Sequence, residues 1–168
     1  SFMTLLIANT EFLFNGLFPD VISLGRLPDG VHFTLAFIFD IVSLLALLAV
    51  IIAIVRRVAF RPAYIDTMSR DALAILTMVA TLMIVFFGLN ASGIAAGDAA
   101  AASFMPVSGF AASAFMSGAA PGSLAVLASV FWWIHAVVLL AFLNYLPYSK
   151  HMHVLTSIPN CFFKSLEK

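Results

Sequence analysis

Four histidines, His32, His135, His151 and His153, are the residues best suited to chemistry in this chain. His135 follows Trp132-Trp133-Ile134 inside a long apolar run, where an ionisable side chain is costly and by default marks a functional site. The plainer alternative is a histidine hydrogen-bonded to a neighbouring helix. His135 and His153 are 18 residues apart. At 3.6 residues per turn that is five whole turns, so on one helix both imidazoles share a face roughly 27 Å apart along the axis. Pro147 lies between them and kinks such a helix. His151 points away from His135 by about 160°. Two imidazoles so placed suit two haems stacked across a bilayer, although any two helical residues at this spacing meet the geometry.

Other polar residues in apolar surroundings have two readings each. Asp40 either relays protons or bonds a neighbouring hydroxyl or amide, and Glu11 is similar. Arg56 and Arg57 close an apolar run. There they either bind the carboxylates of a cofactor through charge-assisted hydrogen bonds or set topology and snorkel to lipid phosphates. Trp132 and Trp133 read as packing or interfacial aromatics. Cys161 is the single cysteine, which excludes a disulfide framework, a c-type haem and an internally ligated iron–sulfur cluster. No CxxC, phosphate-binding glycine loop or Ser-His-Asp arrangement is present.

The elements that must carry these residues follow from composition. Of 168 residues 63% are hydrophobic and 10% charged, with a mean hydropathy of +1.11; a soluble domain is about half apolar and about a quarter charged. A soluble fold of this size cannot hide so much apolar surface, so lipid must solvate much of it. The expected architecture is an all-α integral membrane helix bundle, a single membrane domain over 1–168. Full spans are expected at 31–55, 72–89 and 123–146. A short or truncated piece is expected at 2–18, because the chain opens inside an apolar run, as if an upstream part were missing. The Ala-, Gly- and Ser-rich stretch 93–122 reads as a loop that includes short interfacial helices. The tail 148–168 reads as a cytoplasmic interfacial segment broken near Pro159.

Net charge is zero, and nothing points to nucleic acid. Arg56, Arg57, Arg61 and Arg70 lie between the second and third spans, and Lys150, Lys164 and Lys168 follow the last; only Arg26 falls on the other side. The positive-inside rule then places the 56–70 connection and the C-terminus in the cytoplasm of a prokaryotic inner membrane.

The run Trp132-Trp133-Ile134-His135, followed by Leu143-Asn144-Tyr145-Leu146-Pro147-Tyr148-Ser149-Lys150-His151-Met152-His153, resembles the last helix of the nitrate reductase gamma subunit-like b-type cytochromes. It is closest to versions fused or bound to heterodisulfide reductase-like iron–sulfur proteins, including electron transfer flavoprotein:menaquinone oxidoreductases. Arg56-Arg57 to Arg61-Pro62, with Asp66 and Asp71-Ala72, is similar to their connection between spans. The resemblance covers roughly 31–168, and 132–155 is its specific part. It implies that His135 and His153 each give one axial ligand to one of two b haems, His153 near the cytoplasm and His135 nearer the outside. It also implies quinone as substrate, and iron–sulfur clusters only in a partner or fused domain. The chain departs from the family in having no histidine in its N-terminal stretch, where the family carries the other two axial ligands. His32 lies roughly 36 Å along the helix from Arg56, too far out to substitute. The partner ligands are therefore expected outside this sequence. The expected function is electron transfer between the quinone pool and a cytoplasmic iron–sulfur oxidoreductase. The alternative is a haem-free membrane anchor that docks an iron–sulfur or flavoprotein subunit. A transporter lacks support, since no inverted repeat or paired broken helices are visible.

Overall fold

A computed structural model describes residues 2–17, 29–59, 70–148 and Cys161. Every element among them is helical: α1 (Phe2–Leu17), α2 (Asp29–Val58), α3 (Arg70–Ala95), α4 (Ala99–Phe104), α5 (Pro106–Phe115) and α6 (Pro121–Tyr145), with a 3-10 turn over Leu146–Tyr148. His151, His153, Arg61 and most of the expected interfacial tail lie outside the described residues.

Three helices, within Gly30–Val58, Asp71–Ala95 and Pro121–Tyr148, are long and apolar enough to cross a membrane. The 16 residues of α1 rise roughly 24 Å, short of the ~30 Å hydrocarbon core. Observed bounds exceed those read from hydropathy. α3 runs on past Leu89 through Asn90, Ala91, Ser92 and Gly93 because its polar side chains bond within the helix. Asn90 Nδ2 donates to the Phe86 carbonyl at 2.8 Å and Ser92 Oγ to that of Leu89 at 2.7 Å. Thr34, Thr77, Thr81 and Ser129 donate to the carbonyl four residues back in the same way, which lets a hydroxyl sit in an apolar helix. α6 opens two residues early, at Pro121, whose fixed φ and missing N–H suit a first helical position.

The bundle is organised around α3, which packs on α6, α5 and α2. Leu82 and Met83 of α3 meet Leu139 of α6 in a buried cluster, flanked by Phe12, Leu13 and Leu47. Gly88 lets α3 and α6 approach: a Cβ there would lie 2.7 Å from the Phe131 ring. Side chains facing outward are apolar, among them Leu45, Leu48, Ile52, Ile84, Val126, Trp133 and Val137. Those turned inward include Asp40, Ser43, Ser92, Ser108 and His135, all buried. This suits a lipid solvent, in which apolar contact gives helices little reason to associate and packing with internal polar bonds holds them.

The connection between the last two spans is not irregular. α4 begins at Asp98, whose side chain accepts from the Ala101 N–H at 3.1 Å, a conventional N-cap. α5 has Pro106 in its first turn and no side-chain cap from Met105. Asp40 of α2 caps it instead, its Oδ2 accepting from the Val107 N–H at 2.7 Å. Phe33 of α2 stacks on Phe104 of α4 with centroids 3.9 Å apart. Together these contacts fold α4 and α5 back over one end of the bundle.

Candidate functional site

His135 is 3% exposed and faces α1. Its Nε2 lies 3.0 Å from Asn9 Oδ1; an amide oxygen only accepts, so Nε2 carries the proton and donates. The Phe12 ring, one turn along α1, lies 4.3 Å from the imidazole centroid and 5.5 Å from Trp132. Gly16 makes room for the same indole: a Cβ there would fall 2.5 Å from Trp132 Cζ2. His135 Nδ1 is buried with no hydrogen-bond partner among the described residues.

A cavity of about 260 Å³ opens beside this pair, lined by Asn9, Glu11, Phe12, Ser43, Asn90 and His135 among others. A second cavity, of about 310 Å³, lies toward the end covered by α4 and is lined by His32, Glu11, Asn90, Asp98 and Phe104. Glu11, Phe39, Phe86 and Asn90 line both. In the first cavity the Glu11 carboxyl and the Asn9 and Asn90 carboxamides are thus gathered between apolar helices, with aromatic rings around them. Such a lining can hold a flat polar head group by hydrogen bonding and stacking.

The other residues singled out by sequence fall elsewhere. Asp40 is fully buried and lines neither cavity. Besides the Val107 amide it accepts from the Ser108 N–H at 3.2 Å and from Ser108 Oγ–H at 2.6 Å. These contacts are the hydroxyl and amide bonds that one of its two readings anticipated. Arg56 and Arg57 occupy the last turn of α2, and Arg57 Nε is buried with no partner among the described residues. Near the start of α3, Asp71 Oδ1 accepts from the Tyr145 hydroxyl at 2.9 Å, tying α3 to the end of α6. Asn9, Asn90 and Tyr145 escaped sequence reasoning. The first two carry a usable signal, an amide inside an apolar helix, but nothing local says what such an amide meets.

An iron porphyrin would find one half of a donor set here. His135 offers a buried imidazole at a cavity wall, a ligand type that suits iron. Ligation through Nε2 would require that nitrogen without its proton, and it would displace the Asn9 contact. Among the described residues no second histidine faces His135. His135 is thus the one imidazole that the described residues bring to this cavity wall, and His153 lies outside them.

The fold and site define an all-α protein with three membrane-length helices and a buried histidine in the bundle. Over 55 residues, 32% of the chain, it is 46% identical to the probable iron–sulfur-binding oxidoreductase FadF of Bacillus subtilis (strain 168). The matched stretch is 8% of that protein's length, so the chain spans a small part of the relative it resembles. No family model matches the chain, and no solved structure matches it. A likeness to an iron–sulfur oxidoreductase together with membrane-length helices fits a membrane anchor or an electron-transfer subunit.

Proposed function

We propose that this chain is a membrane cytochrome b domain that passes electrons between the quinone pool and a cytoplasmic iron–sulfur oxidoreductase, held as a partner or a fused domain. The observation that carries the reading is His135: an imidazole buried in the middle of an apolar span, at a cavity wall, in a chain similar to part of an iron–sulfur oxidoreductase. A buried ionisable group in a span persists for function more often than for packing.

His135 and His153 would hold the two haems from this chain's side, and Arg56 and Arg57 would serve as propionate donors at the cytoplasmic end. Bound haem supplies one-electron transfer. The chain's own residues do the rest. The spans exclude water, the Phe12 and Trp132 rings confine the imidazole, and α4 and α5 close the outer end. Quinone enters at that end, where Glu11, Asn90 and Asp98 offer acceptors and donors to its oxygens and Glu11 exchanges protons. Asp40 serves this site by anchoring α5; a direct proton relay through it is the weaker role, since both its oxygens already accept hydrogen bonds.

The test is quinone-coupled electron transfer in membranes carrying the full protein with its iron–sulfur partner. His135→Ala and His153→Ala should each abolish it while assembly persists. The second reading, a haem-free anchor, is favoured by one observation, the bond from His135 to Asn9, which gives the histidine a purely structural use. Full activity in both variants would select it.

A further inference from the structure

We infer that the stacked rings of Phe33 and Phe104 form a side portal for quinone, the ring of the quinone passing inward from the lipid and its isoprenoid tail staying in the surface recess outside them. This rests on the proposal that quinone reacts in the cavity lined by Glu11, Asn90 and Asp98.

Size separates the head group from the tail. The cavity holds about 310 Å³, at the lower end of the roughly 300–1,000 Å³ of ligand pockets. That suits a flat ring system, whereas a polyisoprenoid tail has to leave it. A second hollow, a recess of about 480 Å³ in the surface, is lined by Gly30, Phe33, Thr34, Phe37, Ser103 and Phe104. Phe33 and Phe104 line both spaces. Their rings stack at 3.9 Å and 11°, so the wall between cavity and recess is this one pair.

Helical periodicity explains why the two spaces differ. Residues 32, 35, 36 and 39 of α2 face the cavity, and 30, 33, 34 and 37 face the recess, two stripes on roughly opposite sides of a helix with 3.6 residues per turn. The cavity stripe carries His32 and meets Glu11, Asn90 and Asp98. The recess stripe is exposed, with Phe37 48% accessible, and in a spanning helix that side meets lipid. The recess is also apolar in character. The Thr34 hydroxyl is taken up by the Gly30 carbonyl of its own helix at 2.7 Å, and a Cβ at Gly30 would meet nothing within 4 Å. An isoprenoid chain thus finds apolar surface outside the ring pair, and a quinone ring finds polar partners inside it.

The pair can part cheaply. Phe104 ends α4, and the helix that follows is tied to α2 by the bonds from Val107 and Ser108 to Asp40. Opening therefore needs rotation of two side chains and no movement of α4 or α5. Separating two ring faces strands no hydrogen-bonding group, the loss that makes other buried contacts expensive to break.

The test compares two probes on the full protein with its iron–sulfur partner in lipid vesicles: menaquinone with its isoprenoid tail, and menadione, the same ring without one. Thr34 and Ser103 line the recess and not the cavity. Thr34→Trp and Ser103→Trp each put an indole where the tail would lie. In each, KM for menaquinone should rise at least several-fold relative to KM for menadione. Leu45→Trp adds the same side chain at another exposed position of α2 and should keep the parent's ratio. If neither recess variant assembles, the unmodified complex decides. A menaquinone with a diazirine on its first isoprene unit should then label α4 or positions 30–37 of α2, and excess menaquinone should suppress that label. An unchanged ratio in an assembled recess variant, an equal rise in Leu45→Trp, or suppressible label confined to other segments overturns the portal and leaves the quinone reading intact. An assembled complex that turns over neither probe overturns both.

Discussion

The Ser108 hydroxyl donates to Asp40 Oδ1 at 2.6 Å across 68 residues of sequence, and the same carboxylate accepts the Val107 and Ser108 amides. A carboxylate on one helix therefore caps the N-terminus of another, where the helix dipole favours negative charge and the first amides have no partner of their own. Asp40→Ala strands these donors in a buried site. A stranded donor costs about 1–3 kcal/mol, so the variant should unfold at clearly lower temperature in detergent. Asp40→Asn keeps an acceptor and should lose less. If Asp40 anchors α5 and does not relay protons, Asp40→Asn should also retain quinone-coupled turnover.

Gly88→Ala places a methyl group 2.7 Å from the Phe131 ring. Overpacking of this kind costs about 1–3 kcal/mol, and the melting temperature should fall. Adding Phe131→Leu, which shortens the obstructing side chain, should recover part of the loss. A Gly88→Ala chain as stable as the parent would mean that α3 and α6 do not meet there.

Tyr145→Phe removes the hydroxyl that donates to Asp71. The expected cost is that of one hydrogen bond, about 0.5–1.5 kcal/mol, read from detergent unfolding curves. Asp71→Ala should cost a similar amount. The double variant should lose less than the sum of the two, because both break one contact.

Glu11 lines both cavities. Glu11→Gln keeps its shape and removes its proton exchange. The account expects quinone-coupled turnover to fall at least several-fold, as removal of a general acid–base group does, with cofactor content unchanged. Equal turnover in the two proteins would take Glu11 out of the reaction.

What could be read in the sequence follows the range of each signal. The three spans are legible as apolar runs, and His135 as a lone ionisable residue in one of them. The apolar run of the third span ends at Leu89, but α3 continues to Ala95 because Asn90 and Ser92 bond back to their own helix. α4 and α5 are short and rich in Ala and Ser, so their period is weak; Asp98 caps one locally, while the cap of the other comes from α2. The partner of His135 lies 126 residues away on α1. Two polar residues in two apolar helices do not announce which faces pair, so sequence marks the histidine and the fold supplies Asn9.

The central claim, that the chain holds haem through its histidines, is tested most directly by a dithionite-reduced minus oxidised spectrum. It should be combined with a pyridine haemochrome assay on the assembled complex from native membranes. The account predicts a b-type spectrum that loses intensity in His135→Ala and His153→Ala. A fully assembled, well-folded complex with no haem would contradict it and leave a membrane anchor in which His135 holds α1 to α6.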